Sequence, residues 1–109
     1  MNHLCMDVKH IIELYKESKR FIAYTENGID VLHDEDNLEK ITKEHKKIIF
    51  NVECSIALLD EKLRNLFLND IANTDNYWYI GVMSRSTYYR HREKAGEIFL
   101  KNYRRLETL

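Results

Sequence analysis

Met83-Ser84-Arg85-Ser86-Thr87-Tyr88-Tyr89-Arg90-His91-Arg92-Glu93-Lys94-Ala95 is the stretch on which the reading of this chain turns. Ser84 stands where a helix N-cap belongs. A hydroxyl there accepts from a backbone N–H one turn in and satisfies one of the unpaired donors of a helix start. Beyond it Tyr88, Ala95, Ile98, Phe99 and Leu106 recur at helical spacing, with Arg92 and Asn102 filling turns of the same stripe. That spacing predicts a helix over about 84–105 with one face able to pack. The other face carries Arg85, Ser86, Tyr89, Arg90, Lys94, Lys101 and Arg104. Hydroxyls and arginines on the first turns suit a helix whose N-terminal end enters the major groove of duplex DNA. Arginine reads guanine edges through two hydrogen bonds, Ser and Thr reach bases or phosphates, and the positive helix end favours phosphate. An ordinary amphipathic helix with a solvated basic face has a similar composition, so the segment before it matters.

That segment, Asp75-Asn76-Tyr77-Trp78-Tyr79-Ile80-Gly81-Val82-Met83, fits a short helix capped by Asp75 or Asn76 and then a tight turn at Gly81. Short helix, glycine turn and serine-capped basic helix is the order of a helix-turn-helix. Ser84 to His91 resembles the opening of recognition helices in the region-4 domain of bacterial sigma factors. It is also similar to the ArpU-type transcriptional regulators of phages and mobile elements, where a Tyr-Tyr-Arg run is common. The likeness runs from about Leu59 to Tyr103 and is concentrated in the stretch quoted above. Two positions depart from the family pattern. Family members usually carry glycine two residues before the capping serine, where this chain has Val82 and places its glycine at Gly81. They usually carry a small residue inside the first helix, where this chain has Trp78; an indole there sets the two helices apart or changes their docking angle.

The implied function is sequence-specific binding of double-stranded DNA for transcription control. Ser84 caps, Arg85, Ser86, Tyr89 and Arg90 read or orient, and Thr87, Lys94 and Lys101 meet phosphate. Charge distribution points the same way. From Arg85 onward Arg85, Arg90, Arg92, Lys94, Lys101, Arg104 and Arg105 stand against Glu93, Glu97 and Glu107, while the formal net charge of the whole chain is −1. A basic end on an acidic body is the asymmetry of a protein that meets phosphate with one face.

The 109 residues have room for one modest core. Proline is absent and glycine occurs only at Gly28, Gly81 and Gly96, which permits long helices and disfavours a turn-rich β fold. The expectation is an all-α fold, a small bundle of about four to five helices with a C-terminal helix-turn-helix. Residues 1–58 form an N-terminal helical segment for packing, partner or dimer contacts, and 59–109 the DNA-binding segment, the two joined in one compact domain. No apolar run is long enough to span a bilayer, and the N-terminus has charges and a helical pattern rather than a signal peptide. A cytoplasmic setting with inert thiols at Cys5 and Cys54 is expected; a disulfide between them is the alternative.

A first helix is predicted over about 4–25, with Leu4, Val8, Ile11, Ile12, Tyr15 and Phe21 or Ile22 on one side and Asn27-Gly28 as its stop. Ile29, Val31 and Leu32 are expected to pin the following loop to the core. Asp34-Glu35-Asp36 reads as acid favourable to a helix start, since the spacing and glycine of a calcium loop are missing. A second helix from about 37 to 58 carries Leu38, Ile41, His45, Ile48, Ile49, Val52 and Ile56 inward. His45 there is a partly buried, hydrogen-bonded residue rather than a metal ligand. Asp60 is placed to cap a third helix, Glu61 to about Asn73, with Leu63, Leu66, Phe67 and Ile71 inward. One continuous helix over 37–73 is the alternative, because an aspartate inside a helix is only mildly unfavourable. Of Tyr77, Trp78 and Tyr79, the expectation buries Trp78 and leaves one tyrosine near the DNA backbone; a platform for unpaired bases is the other use of such a run.

No nucleophile–base pair, phosphate-cradling loop or set of metal ligands stands at a familiar spacing, so an enzyme, a metal and a cofactor are not expected. The competing function is a helical protein-interaction module that binds RNA polymerase or a phage or plasmid factor without reading DNA. The apolar surface of the first two helices also leaves a homodimer open.

Overall fold

Scarce glycine and absent proline allow the backbone to run in long helical stretches. In a computed structural model the described residues form four helices: α1 (His3–Glu26), α2 (Glu35–Ala57), α3 (Glu61–Ala72) and α4 (Arg85–Glu107). The structure describes the backbone of residues 3–28, 35–73 and 75–109 and the side chains of 6–28, 37–73 and 75–109. No strand occurs among the described residues, and none of the helices is long and apolar enough to cross a membrane. The loop reading of Ile29 to Asp34, the side chains of Leu4, Cys5, Glu35 and Asp36, and the Cys5–Cys54 pairing lie outside them; Cys54 itself is a half-buried free thiol.

The break between the second and third helices is real, and its cause is local. Leu59 is 3% exposed and sits in the core, which takes the chain out of helical register there. Asp60 then adopts φ −65° and ψ 160°, and its carboxylate accepts from Leu63 N at 3.0 Å, which starts α3. At the end of α1 the backbone N–H of Asn27 donates to Ala23 O, and Gly28 takes φ +75°, the left-handed conformation that glycine adopts without steric cost.

α1 and α2 lie antiparallel. Tyr15 donates to Glu53 near one end, and Ser18 and Phe21 meet His45 further along. The Ser18 hydroxyl lies 2.9 Å from His45 Nδ1, and Phe21 stacks on the imidazole with centroids 4.4 Å apart. His45 is thus the half-buried, hydrogen-bonded residue expected. Ile12 from α1, Val52 and Ile56 from α2, Leu63 and Phe67 from α3, and Ala95, Phe99 and Tyr103 from α4 form one apolar cluster together with Leu59. Burial on this scale is the main stabilising contribution, about 1.5–3 kcal/mol for each large side chain fully removed from water.

Three expectations about the C-terminal half are corrected. The short helix at 75–80 is absent: Asn76 to Val82 form consecutive turns. Ile80 N donates to Tyr77 O, and Val82 N and Met83 N both donate to Tyr79 O, with Gly81 at φ +87°. The buried member of the aromatic run is Tyr79, 3% exposed, while Trp78 is half-buried. On α4 the buried set also includes Gly96, Leu100 and Tyr103, and Ile98 and Leu106 are only half-buried. The physical reason is that α4 changes neighbours along its length. Its first turns pack on α3 through Tyr88, and its later turns lie against α1 and α2, near Val8 and Ser55. The packed stripe therefore widens and rotates toward the C-terminus.

Candidate nucleic-acid interface

The candidate interface is a helix start held in place by a small aromatic core of its own. Leu66, Tyr79 and Tyr88 form a buried cluster, with Trp78 and Met83 packed against it. The rings of Tyr79 and Tyr88 stack at 3.9 Å and 11°, and Trp78 meets Tyr88 edge-on at 5.8 Å. Asp70, in the last turn of α3, closes this cluster. Its Oδ1 accepts from Trp78 Nε1 at 2.7 Å and from the Tyr88 hydroxyl at 2.5 Å, and its Oδ2 lies 3.7 Å from Arg92 Nε. One carboxylate thus ties α3 to the turns and to α4. Burial, and then the hydrogen bond and the negative charge of Asp70, push the Tyr88 hydroxyl well above its ordinary pKa. Burial, followed by the neighbouring Tyr89, raises that of Tyr79. Both phenols therefore stay neutral at physiological pH, and Tyr88 remains a donor to Asp70.

On this platform α4 begins as expected. Ser84, at φ −70° and ψ 155°, accepts from Thr87 N at 3.2 Å, and its hydroxyl donates to Thr87 Oγ1 at 2.8 Å. Ser84, Arg85, Ser86, Tyr89 and Arg90 are all exposed, and Thr87 is half-buried. The Arg85 guanidinium lies 5.6 Å from the centroid of the Tyr89 ring, a cation–π contact that holds it over an aromatic face. Tyr89 in turn meets Tyr79 and Tyr88 edge-on, at 6.3 and 5.2 Å. The first two turns of α4 therefore present two arginines, two hydroxyls and one tyrosine from a fixed backbone.

The remaining two candidates are placed differently. Lys94 and Lys101 are exposed, but Glu93 and Glu97 are exposed among them on the same helix. At a rise of about 1.5 Å per residue, Lys101 lies about 16 Å beyond Arg90 along α4. The structure brings Ser84, Arg85, Ser86, Thr87, Tyr89 and Arg90 together, keeps Lys94 one turn away, and separates Lys101 from them. Arg104, also on the basic face, pairs with Asp7 of α1 at 3.1 Å.

Asp70 was not among the residues singled out by sequence, although an acid in the last turn of a helix and eight residues before a tryptophan is a partner for its indole N–H. His91 was also missed. It lines an open groove of about 590 Å³ with Asp60, Glu61, Lys62, Leu63, Asn65 and Lys94, and its Nδ1 is buried with no hydrogen-bond partner. Burial, and then the charges of Lys62, Arg90 and Lys94, hold its pKa below the ordinary histidine value, with Asp60 opposing them. No group of three His, Cys, Asp or Glu residues is arranged to hold a metal ion among the described residues.

No protein-family model, curated protein or solved structure matches this chain.

Proposed function

We propose that the chain is a sequence-specific double-stranded DNA-binding regulator of transcription, of the kind used by phages and mobile elements, with the start of α4 in the major groove. α3, the turns at 76–82 and α4 then act as a helix-turn-helix unit in which the expected first helix is replaced by α3 and an aromatic-locked turn. One observation carries the reading: Arg85, Ser86 and Arg90 project from the exposed first turns of a serine-capped helix whose backbone is anchored through Asp70. The Arg85 guanidinium, held over the Tyr89 ring, loses little freedom when it binds a guanine edge or phosphate, and the helix start adds a positive field for phosphate. The likeness of Ser84 to His91 to sigma region-4 and ArpU-type recognition helices supports the same reading. The activity needs no catalytic residue and no cofactor.

A protein-interaction role is the second reading, favoured by Phe50 and Leu58, which are 62% and 64% exposed on and just after α2. It would place RNA polymerase, a phage factor or a second copy of the chain on the helical body. The two readings separate on salt. Phosphate contacts release counterions, so duplex retention should fall steeply as salt rises. Oligonucleotides selected from a random duplex pool should converge on one motif, and a palindromic motif would indicate a dimer. Absence of any salt-sensitive duplex binding would leave the protein-partner reading.

A further inference from the structure

Two branched aliphatic side chains stand out in solvent where α4 begins. Ile80 and Val82 are 68% and 69% exposed, flanking Gly81 at φ +87°, and the small aromatic core takes in Trp78, Tyr79 and Met83 but neither of these two. Single exposed aliphatics are ordinary. A pair displayed on a turn whose backbone donors are already satisfied is a fixed apolar tip: Ile80 N is bonded to Tyr77 O at 3.1 Å and Val82 N to Tyr79 O at 2.9 Å. Tyr79 beneath it is locked between Tyr88 and Tyr89. Those bonds fix the backbone that carries the tip.

We propose that Ile80 and Val82 are a contact for the C5-methyl groups of thymine, so that the bound duplex carries thymine beside the bases met by Arg85. The inference rests on the DNA-reading function proposed above. Charge selects the occupant: a ligand that covers Arg85 and Arg90 is an anion, and the apolar group that duplex DNA displays in its major groove is the thymine methyl. The reach is right as well. Three peptide units separate Val82 from Arg85, at most about 11 Å of chain, or about three base-pair steps.

The test uses the full chain and duplexes selected from a random pool. Each thymine is replaced in turn by deoxyuridine, which removes only the methyl group, and affinity is read by fluorescence anisotropy. Wild type should lose about fourfold for each contacted methyl. The Ile80→Ser/Val82→Ser variant should bind the thymine duplex as weakly as wild type binds the deoxyuridine duplex, and should not distinguish the two. Val82→Thr, nearly the same shape, repeats the measurement if the double variant melts early. Salt-sensitive binding that is indifferent to deoxyuridine at every position overturns the methyl contact and leaves the DNA reading standing. No duplex binding at all overturns both. Loss of binding in the variants on thymine and deoxyuridine duplexes alike, with wild type indifferent to the methyl, assigns the tip to backbone or protein contact and overturns the proposal.

Discussion

Trp78 and Tyr88 donate to the same oxygen. The indole Nε1 and the phenol hydroxyl both reach Asp70 Oδ1, at 2.7 and 2.5 Å, and their rings meet edge-on with centroids 5.8 Å apart. A carboxylate that accepts two neutral donors and lies 3.7 Å from Arg92 fixes the orientation of three segments at once. The tip at Ile80–Val82 and the arginines at 85 and 90 inherit their positions from that arrangement.

Asp70→Ala should therefore loosen the proposed interface as well as the fold. Two partly buried donors lose their acceptor, at about 1–3 kcal/mol for each one left unpaired. Urea unfolding should show a loss of about 2 kcal/mol or more. Trp78 is the sole tryptophan, so its emission in the native variant should shift to the red as water reaches the indole. An unchanged midpoint and spectrum would contradict the anchoring role.

Stability should fall at alkaline pH, and the sign follows from the phenols. Tyr88, Tyr79 and Tyr103 all have hydroxyl pKa values raised above 10.0 by burial, Tyr88 the most. Above pH 10 the unfolded chain gives up protons that the folded chain keeps. The stabilisation present below that pH is then lost as pH climbs toward the folded values. Tyr88→Phe should be less stable at pH 7 by about 1.5–3 kcal/mol, having lost a hydrogen bond to a charged group. It should also lose stability less steeply between pH 10 and 11 than wild type. Parallel pH profiles for the two proteins would refute the assignment.

Ser84 separates capping from DNA contact. Ser84→Ala should cost about 1 kcal/mol through the lost bond to Thr87 N. Ser84→Asp keeps a good cap and suits the helix dipole, so thermal melting should stay within about 0.5 kcal/mol of wild type. The added negative charge should nevertheless weaken duplex binding. A Ser84→Asp protein that melts like wild type and binds DNA equally well would place the helix start away from phosphate.

Two glycines should respond in opposite directions. Nothing lies within 4 Å of a Cβ added at Gly81, but φ is +87°, so Gly81→Ala should be destabilising by about 1–2 kcal/mol through backbone strain alone. Gly96 lies inside α4 in ordinary helical conformation, and an added Cβ would meet Val8 Cγ2 at 3.4 Å, close to normal contact. Gly96→Ala should gain up to about 1 kcal/mol from helix propensity. Calorimetric melting temperatures that move the same way for both would refute this account.

The arginines should be the energetic centre of recognition. Arg85→Ala or Arg90→Ala should each reduce specific affinity by about 1–3 kcal/mol, relax the preference at one position and leave melting unchanged. Lys101→Ala, about 16 Å further along the helix than Arg90, should change affinity by much less. Equal losses at Lys101 and Arg90 would mean that the duplex lies along α4 rather than across its start.

Spacing alone determined the helical character of the chain, the stop at Gly28 and the caps at Asp60 and Ser84, because caps and amphipathic stripes are local chemistry repeated every turn. It also put Arg85 and Arg90 on the unpacked side of α4, since neither belongs to the apolar repeat. Only the folded chain decided whether 37–73 is one helix or two, because the break depends on Leu59 finding the core, a long-range event that Asp60 merely caps. It likewise decided that 76–82 is a run of turns with Tyr79 inside. Three adjacent aromatics carry no periodicity, and the choice was made by contacts outside the run: the stacking of Tyr79 on Tyr88 and the acceptor that Asp70 offers the Trp78 indole. The burial of Leu100 and Tyr103 has the same origin: α4 exchanges α3 for α1 and α2 along its length, and a single-helix pattern holds no record of which neighbours it will meet.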